Sequence, residues 1–254
     1  MFGFGRRPDR PEPPRRQAVA VSETGLVRGN NEDNFLVAAA DGVYAVADGM
    51  GGGEEGERAS ALVCANLKML AFAAETDFTA RLETVVRAVA EANRAIHDYA
   101  TARGFRQMGS TVAALVFDPS DPARAATVHV GDSRVYRIRG GMATALTRDH
   151  SVGFELGDFA GCEAERFRDR ANPLAHVLTR AVGALPEVRC EIRETDVRPG
   201  DRFLLCTDGL HDVVPDGRIA VFAAGGTLAT ARDRLAAEIV KRGAPDNYTF
   251  ILVG

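Results

Sequence analysis

The sequence predicts an α+β fold in which mostly antiparallel sheets pack on each other and are covered by helices. Short apolar runs of strand length, separated by turn residues, occur in both halves of the chain. Two long stretches with apolar residues at helical spacing follow one another between these runs. The order of elements is strands, two helices, strands, one helix and a last strand, and it lacks the strand–helix alternation of a parallel sheet.

The first half is predicted to contain three strands and two long helices. The strands are Gln17–Val21, Phe35–Ala39 and Val43–Ala47. The apolar faces of the helices carry Ala59, Leu62, Val63, Leu67 and Leu70, and then Leu82, Val85, Val86, Val89 and Ile96. Because the helices are consecutive, we expect an antiparallel pair that lies on a sheet.

The second half is predicted to return to strands before a last helix and strand. A hairpin turn is expected at Arg139–Met142, which contains two glycines, and another turn at Arg198–Asp201. The last helix has Leu228, Ala231, Leu235 and Ile239 on one face and stops at Gly243–Pro245. The predicted strands are Thr111–Phe117, Ala125–Val130, Val135–Arg139, Val188–Thr195, Arg202–Thr207 and Tyr248–Val253.

Two segments lack a regular pattern. Residues 1–16 are rich in Arg and Pro without apolar partners, which predicts a disordered tail, either a solvated leader or a weak tether to an acidic partner or membrane surface. Residues 151–172 mix glycine with charge and have no clean period, which predicts a mobile flap. The flap belongs to one predicted domain that covers residues 17–254.

Charge and composition exclude several classes of protein. The net charge is −4, and without the +3 tail the remaining chain has 26 basic and 33 acidic residues. Because a nucleic-acid-binding domain needs a basic face, we expect no nucleic-acid partner. No run reaches the length of about 18 apolar residues that a transmembrane helix needs, and no signal peptide is recognisable. Four scattered cysteines without metal spacing fit a cytoplasmic protein.

Aspartates recur at the ends of the predicted apolar strands, where a buried charge is costly unless a positive group meets it. Asp48 and Asp208 each follow an apolar run, Asp132 follows a third, and Asp33 and Asp246 stand at or before the starts of strands. A single Asp-Gly pair is typical of a turn. Five aspartates at strand ends, without clustered His or Cys, favour a hard cation such as Mg²⁺ or Mn²⁺.

A glycine-rich segment, Gly49–Gly53, directly follows Asp48. It lacks the Lys-Ser or Lys-Thr of a phosphate-binding P-loop, and it does not open a dinucleotide-binding unit. Glycine instead lets the backbone pass close to an ion, so the main-chain carbonyl of Gly49 is a candidate ligand.

Eight motifs then occur in a fixed order: Thr24–Asp33, Asp48–Gly52, Met108–Thr111, Val130–Tyr136, Thr147–Ser151, Leu178–Gly183, Cys206–Leu210 and Asp246–Asn247. Together they resemble the PPM metal-dependent Ser/Thr protein phosphatases, the type 2C class, in its bacterial subgroup. The resemblance covers about residues 17–254. It implies a central antiparallel β-sandwich flanked by helices on both sides, with a two-metal centre at one end of the sheets.

The resemblance also implies a role for each metal ligand. By motif position, Asp48 bridges two Mn²⁺ or Mg²⁺ ions and is a catalytic residue, and the Gly49 carbonyl binds one of these ions. Asp208 and Asp246 hold the other ion. Asp33 contacts its ion directly or through water.

Further positions have implied or open roles. Asp132 matches a position that helps to bind a third, weaker ion, and Arg28 matches the catalytic arginine that grips the substrate phosphate. His150 is either a structural hydrogen bonder or a catalytic helper, and Asn247 is expected to be structural. Met50 stands where eukaryotic relatives carry a histidine proposed as general acid, so proton delivery to the leaving group is unassigned.

The implied function is hydrolysis of phosphoserine and phosphothreonine on proteins by a metal-activated water. The implied partners are phosphorylated proteins and a cognate bacterial Ser/Thr kinase, and the chain is expected to be a monomer. The alternative is a catalytically inactive PPM-like binding or scaffold module, which the presence of Arg28 and the five aspartates disfavours. The flap resembles the family least, so the sequence does not indicate which protein is the substrate.

Overall fold

The structure, a computed structural model, describes residues 16–69, 77–159 and 172–254. In this part of the chain two antiparallel sheets pack face to face, and helices cover both outer faces. The predicted α+β sandwich is therefore confirmed. Residues 1–15 of the predicted tail, Leu70 of the first predicted helix and residues 160–171 of the predicted flap lie outside the described residues.

Eleven strands are present among the described residues. They are β1 (Ala18–Glu23), β2 (Asp33–Ala38), β3 (Val43–Met50), β4 (Gly109–Ser110), β5 (Val112–Phe117), β6 (Arg124–Val130), β7 (Arg134–Arg139), β8 (Met142–Ala145), β9 (Glu191–Asp196), β10 (Arg202–Cys206) and β11 (Tyr248–Val253). The first sheet has the order β2-β3-β5-β6-β9, with β4 paired to β3, and the second has the order β1-β11-β10-β7-β8. Arg139 pairs with Met142 between β7 and β8, which confirms the predicted hairpin turn.

The helices are α1 (Glu54–Met69), α2 (Phe78–Arg103), α3 (Val152–Phe159), α4 (Asp208–His211), α5 (Asp216–Ala224) and α6 (Leu228–Lys241), with a 3₁₀ turn at Pro173–His176. The guanidinium of Arg58, near the start of α1, lies 4.1 Å from the ring centroid of Tyr99, near the end of α2. This contact confirms the antiparallel pair. None of the helices in the described segments has the length and apolar character of a membrane span.

Alternate residues of each central strand face different layers, as the two-residue period of a strand requires. In β3, Val43 and Ala45 pack with the α1–α2 layer, whereas Tyr44 and Val46 pack between the two sheets. In β10, Leu205 lies between the sheets, and Leu204 packs with the α5–α6 layer. All of these residues are buried, which explains their continuous apolar runs in the sequence.

Several elements differ from the prediction. Strand β9 begins at Glu191 rather than Val188. Glu191 pairs with His129, and β6 ends one residue later at Val130, so the residues before Glu191 have no strand to pair with. Strand β8 is a four-residue edge strand whose side chains are mostly exposed, so the sequence lacks the buried apolar run that marks the central strands. Helix α5, which is nine residues long, is not predicted from the sequence. Helix α3 occupies the first part of the predicted flap, where no regular element is expected.

The predicted turn at Arg198–Asp201 precedes β10 and is closed by a hydrogen bond from the Asp201 N–H to the Arg198 carbonyl. We predict that Asp201 stabilises this end of the second sheet more than the neighbouring exposed acid Asp196 does. The Asp201 carboxylate accepts two hydrogen bonds from the Arg139 guanidinium, at 2.7 and 2.6 Å, and one from the Arg198 N–H at 2.8 Å. Its side chain is 1% exposed. Asp201→Ala is expected to lower the free energy of unfolding by about 2–3 kcal/mol, measured by urea denaturation.

The matched control is Asp196→Ala. Asp196 binds the same Arg139 guanidinium, but its side chain is 51% exposed. Because ion pairs exposed to solvent are screened by water, this control is expected to cost clearly less than Asp201→Ala. Equal losses for the two variants would show that burial of Asp201 is not what makes the pair stabilising.

Candidate metal centre

The predicted aspartates meet at one end of the sandwich because the strand register brings their strand ends together. In the first sheet, Asp33 pairs directly with Asp48 across β2 and β3. In the second sheet, the last residue of β10, Cys206, pairs with Arg134 at the start of β7 and with the beginning of β11. These strand ends place three further aspartates at this edge: Asp132, Asp208 and Asp246.

The carboxylates are close enough to oppose one another's ionisation. Burial raises the pKa of Asp48 well above its usual range, and the charges of Asp33 and Asp208 raise it further. Burial and the charge of Asp208 likewise raise the pKa of Asp132 well above its usual range. For Asp208 the pKa is raised mainly by burial and by the charge of Asp212. A concentration of negative charge in a desolvated site favours the binding of a cation.

Asp33 is the most buried member of the cluster. Its Oδ2 accepts a hydrogen bond of 2.8 Å from the hydroxyl of Thr207, but its Oδ1 is buried without any hydrogen-bond partner. Burial raises the pKa of Asp33 to about 7. An orphaned carboxylate oxygen in a buried site calls for a partner that the described side chains do not supply.

The remaining carboxylates contact other side chains. Asp48 and Asp208 lie close enough for each to shift the pKa of the other. Asp246 accepts a hydrogen bond of 2.7 Å from the Arg28 guanidinium. Within residues 16–69, 77–159 and 172–254, no three Asp, Glu, His or Cys side chains are already arranged as a metal site.

The backbone around Asp48 is held on both sides. The Asp48 N–H donates to the Thr111 hydroxyl at 2.9 Å, and the Thr111 N–H donates to the Asp48 carbonyl at 2.8 Å. The Gly49 N–H donates to the Glu32 carbonyl at 3.1 Å. These bonds fix the end of β3 between the loop before β2 and the start of β5.

Gly49 has no room for a side chain, and we predict that Gly49→Ala strongly destabilises the protein. A Cβ at this position would lie 2.0 Å from the carbonyl oxygen of Gly56 and 2.7 Å from that of Glu32. Because both atoms are backbone, relief requires a shift of α1 or of the loop before β2. We expect a loss of about 3 kcal/mol or more in urea denaturation.

The control for this prediction is Gly217→Ala in α5, where a Cβ meets no atom within 4 Å. Because alanine is the better helix former, this variant is expected to be as stable as the parent or more stable by about 0.5–1 kcal/mol. A Gly49→Ala protein as stable as the Gly217→Ala protein would contradict the close approach described above.

Asn247 ties the loop before β2 to the residue beside Asp246. Its side-chain amide donates to the carbonyls of Thr24 and Asn30, both at 2.8 Å, and its Oδ1 accepts from the Glu32 N–H at 2.9 Å. All three bonds go to main-chain groups of the segment that carries Arg28. This geometry agrees with the structural role expected for Asn247.

Both ring nitrogens of His150 contact polar groups. Its Nδ1 accepts a hydrogen bond of 3.1 Å from the Gly131 N–H, and its Nε2 lies 3.2 Å from a carboxylate oxygen of Glu191. Burial lowers the pKa of His150. Of the two roles left open by the sequence, the structural one is favoured, since His150 holds the residue next to Asp132.

Sequence reasoning singled out the aspartates but not the groups that position them. Besides Thr207 and Thr111, these groups include Arg134, two residues after Asp132, which forms a bidentate ion pair with Asp149 at 2.8 and 2.5 Å. His211 lies 3.1 Å from the Asp132 carbonyl through its Nε2. Thr111, Arg134, Asp149 and Thr207 all belong to the eight motifs, whereas His211 does not. Their position in the same motifs as the aspartates could have indicated that they help to form the site.

Comparison with known proteins places these features in one family. Residues 27–240 match the family model described as protein phosphatase 2C. The chain is 36% identical over 236 residues to the serine/threonine protein phosphatase PstP of Mycobacterium tuberculosis, a match that covers 92% of this chain but only 44% of PstP. It is 30% identical over 242 residues to the serine/threonine phosphatase stp of Listeria innocua, covering 91% of this chain and 93% of that protein.

Solved structures agree with this result. PppA, described as a key regulatory component of the T6SS in Pseudomonas aeruginosa, superposes with a TM-score of 0.85 at 34% identity, covering 94% of this chain and 96% of PppA. The catalytic domain of PstP, solved in complex with two manganese ions, superposes with a TM-score of 0.77 at 36% identity, covering 94% and 97% of the two chains. The chain described here spans less than half the length of full PstP and belongs to the protein phosphatase 2C family.

Proposed function

We propose that this chain is a metal-dependent Ser/Thr protein phosphatase that hydrolyses phosphoserine and phosphothreonine in protein substrates. The observation that carries this proposal is the cluster of Asp33, Asp48, Asp132 and Asp208 at one end of the sandwich, where burial and neighbouring carboxylates raise the pKa of each member. The arginine at its edge, Arg28, supplies a group that suits a phosphate. Family membership and the named phosphatase relatives support the same activity.

The donor set fits a pair of hard divalent cations, Mn²⁺ or Mg²⁺. Every candidate ligand is an oxygen, and the buried Oδ1 of Asp33 lacks a partner. The groups that would hold the two ions are the carboxylates of Asp33, Asp48, Asp208 and Asp246 and the carbonyl of Gly49. When bound, such ions lower the pKa of a coordinated water and neutralise charge on phosphoryl oxygens. A third, weaker ion would be held by Asp132 together with Asp208.

The protein's own contribution is to collect and orient these groups. The Thr207 hydroxyl occupies Oδ2 of Asp33. The other oxygen, Oδ1, therefore remains available to bind a cation or a proton. The paired bonds between Thr111 and Asp48 fix the backbone from which the Asp48 carboxylate projects. Because these positions are set by strand pairing, little reorganisation is needed when charge develops on the substrate.

Arg28 is suited to bind the phosphate of the substrate. Its guanidinium is 54% exposed, at the edge of the cluster, and its ion pair with Asp246 is also exposed. A guanidinium can contact two phosphoryl oxygens at once. Only Nη2 of Arg28 contacts Asp246, so its other N–H groups remain available, and a cation on Asp246 would weaken the ion pair because the carboxylate would then be neutralised.

The expected partners are phosphorylated proteins and a cognate Ser/Thr kinase whose action the phosphatase reverses. We also propose that the chain acts in the cytoplasm, as a monomer. These proposals rest on the family and on the composition of the chain. PppA is described as a regulatory component of a bacterial system and PstP as a bacterial serine/threonine phosphatase, and a bacterial signalling role for this chain is the matching proposal.

The experiment that tests the activity compares hydrolysis of p-nitrophenyl phosphate and of a phosphothreonine peptide with Mn²⁺ and with EDTA. Hydrolysis of both with Mn²⁺, and of neither with EDTA, is expected. A folded protein that binds the phosphopeptide but hydrolyses neither compound would favour the alternative of an inactive scaffold module. Circular dichroism of the same samples establishes that the protein is folded.

A further inference from the structure

A large cleft opens beside the carboxylate cluster. It has a volume of about 710 Å³, and Asp48, Asp132 and Asp208 form part of its lining. The rest of the lining comes from the end of α2, the segment before β4 and the segment between the 3₁₀ turn and β9. Arg28 does not line it, so this cleft is separate from the arginine assigned to the phosphate.

Away from the three aspartates, the lining of the cleft is basic. It includes Arg106, Arg180 and Arg189, all exposed, and one acidic residue, Glu187. Among the described residues, none of the three arginines makes an ion pair or hydrogen bond. Several arginines elsewhere are paired with a carboxylate and are therefore less available to a ligand: Arg124, Arg134, Arg137, Arg139, Arg218 and Arg242.

Unpaired guanidinium groups along a cleft attract carboxylates and disfavour basic side chains. A polypeptide whose phosphorylated residue reaches Asp48 and Asp208 has neighbouring residues within range of the adjoining cleft. We propose that the cleft binds the segment next to the phosphorylated residue and that Arg106, Arg180 and Arg189 select substrates with Asp or Glu there. The proposal rests on the phosphatase activity and adds the chemical class of the substrate segment to it.

An arginine that is already paired must break that pair before it binds a substrate carboxylate, which reduces the net gain. Each exposed pair is expected to change affinity by about 1.4- to fivefold, because such pairs contribute about 0.2–1 kcal/mol. Three pairs together correspond to a preference between about threefold and about a hundredfold, which salt should weaken.

The test uses three phosphothreonine peptides that differ only at the flanking positions, which carry Glu, Ala or Lys. For the wild-type protein with Mn²⁺, kcat/KM is expected to be about tenfold higher for the Glu peptide than for the Ala peptide, and lowest for the Lys peptide. The Glu-to-Ala ratio should fall at high salt. Equal values for the three peptides would overturn the inference and leave the phosphatase proposal intact.

Variants locate the preference on the cleft. Arg106→Ala/Arg189→Ala is expected to lower the Glu-to-Ala ratio several-fold, to the part that Arg180 alone supplies, and Arg106→Glu/Arg189→Glu to favour the Lys peptide. The matched control is Arg94→Ala/Arg234→Ala, which makes the same change in net charge at exposed residues outside the cleft lining. This control should keep the wild-type ratio. If both alanine variants lower the ratio equally, net charge and not the cleft sets the preference, and the inference fails.

The two proposals fail in different ways. If the wild-type protein hydrolyses neither the peptides nor p-nitrophenyl phosphate with Mn²⁺, the activity itself is wrong. If it hydrolyses p-nitrophenyl phosphate and all three peptides without preference, only the role of the cleft is wrong. A reversal of preference by the Glu variant supports both, because it requires a folded and active protein.

Discussion

Asp48→Asn is expected to reduce Mn²⁺-dependent hydrolysis of p-nitrophenyl phosphate by at least about a thousandfold. Asp48 lies at the centre of the cluster, where Asp33, Asp132 and Asp208 all act on its charge. An amide keeps the shape of the side chain but removes the negative charge that a cation needs. The measurement is a Mn²⁺ titration of the rate for the variant and the parent protein.

The fold of the Asp48→Asn protein is expected to survive. Because burial and three neighbouring carboxylates disfavour the ionised form of Asp48, a neutral amide relieves repulsion in the metal-free protein. We expect a melting temperature equal to or above that of the parent without metal, and a smaller increase on addition of Mn²⁺. Asp118→Asn is a control at the far end of β5, where Asp118 caps a turn through bonds to Ser120 and Asp121, and it should stay active.

Arg28→Ala is expected to lower kcat/KM for a phosphothreonine peptide by about a hundredfold. The variant removes the guanidinium assigned to the phosphate but leaves the carboxylate cluster intact. Stability should change by less than about 1 kcal/mol, because the ion pair of Arg28 with Asp246 is exposed to solvent. Mn²⁺ affinity should be unchanged or improved, since Asp246 loses a competing partner.

The companion variant is Arg28→Lys, which retains the positive charge without the two-pronged donor. We expect an intermediate rate, because a lysine supplies a point charge but no bidentate contact. If Arg28→Ala hydrolyses the peptide at the parent rate, the phosphate is bound elsewhere, and the arginines of the cleft become the next candidates.

Sequence reasoning reached the site because strand ends carry strong local signals. Asp48 and Asp208 each follow a continuous apolar run, which marks a central strand, and each is followed by glycine. The backbone of Gly49 lies so close to the Gly56 carbonyl that no side chain fits there. The sequence alone does not show this contact. The pairing of Asp33 with Asp48 follows from the β2–β3 register, which the apolar pattern alone does not determine.

The parts that sequence reasoning missed depend on long-range packing. The edge strand β8 has exposed side chains and gains its conformation only by pairing with β7. The hydroxyl of Thr207 contacts Asp33, a residue 174 positions away in the chain. The basic cleft is assembled from residues of two separate segments, near Arg106 and near Arg189, and neither segment is unusual in charge by itself.

The carboxylate cluster is expected to bind divalent cations that the reaction requires. A calorimetric titration of the EDTA-treated protein with Mn²⁺, followed by the rate of phosphothreonine-peptide hydrolysis on the same samples, tests this directly. We expect at least two bound ions, a rate that rises with their occupancy, and loss of both in Asp208→Asn. Full activity of the EDTA-treated protein, or unchanged Mn²⁺ binding by Asp208→Asn, would contradict this expectation.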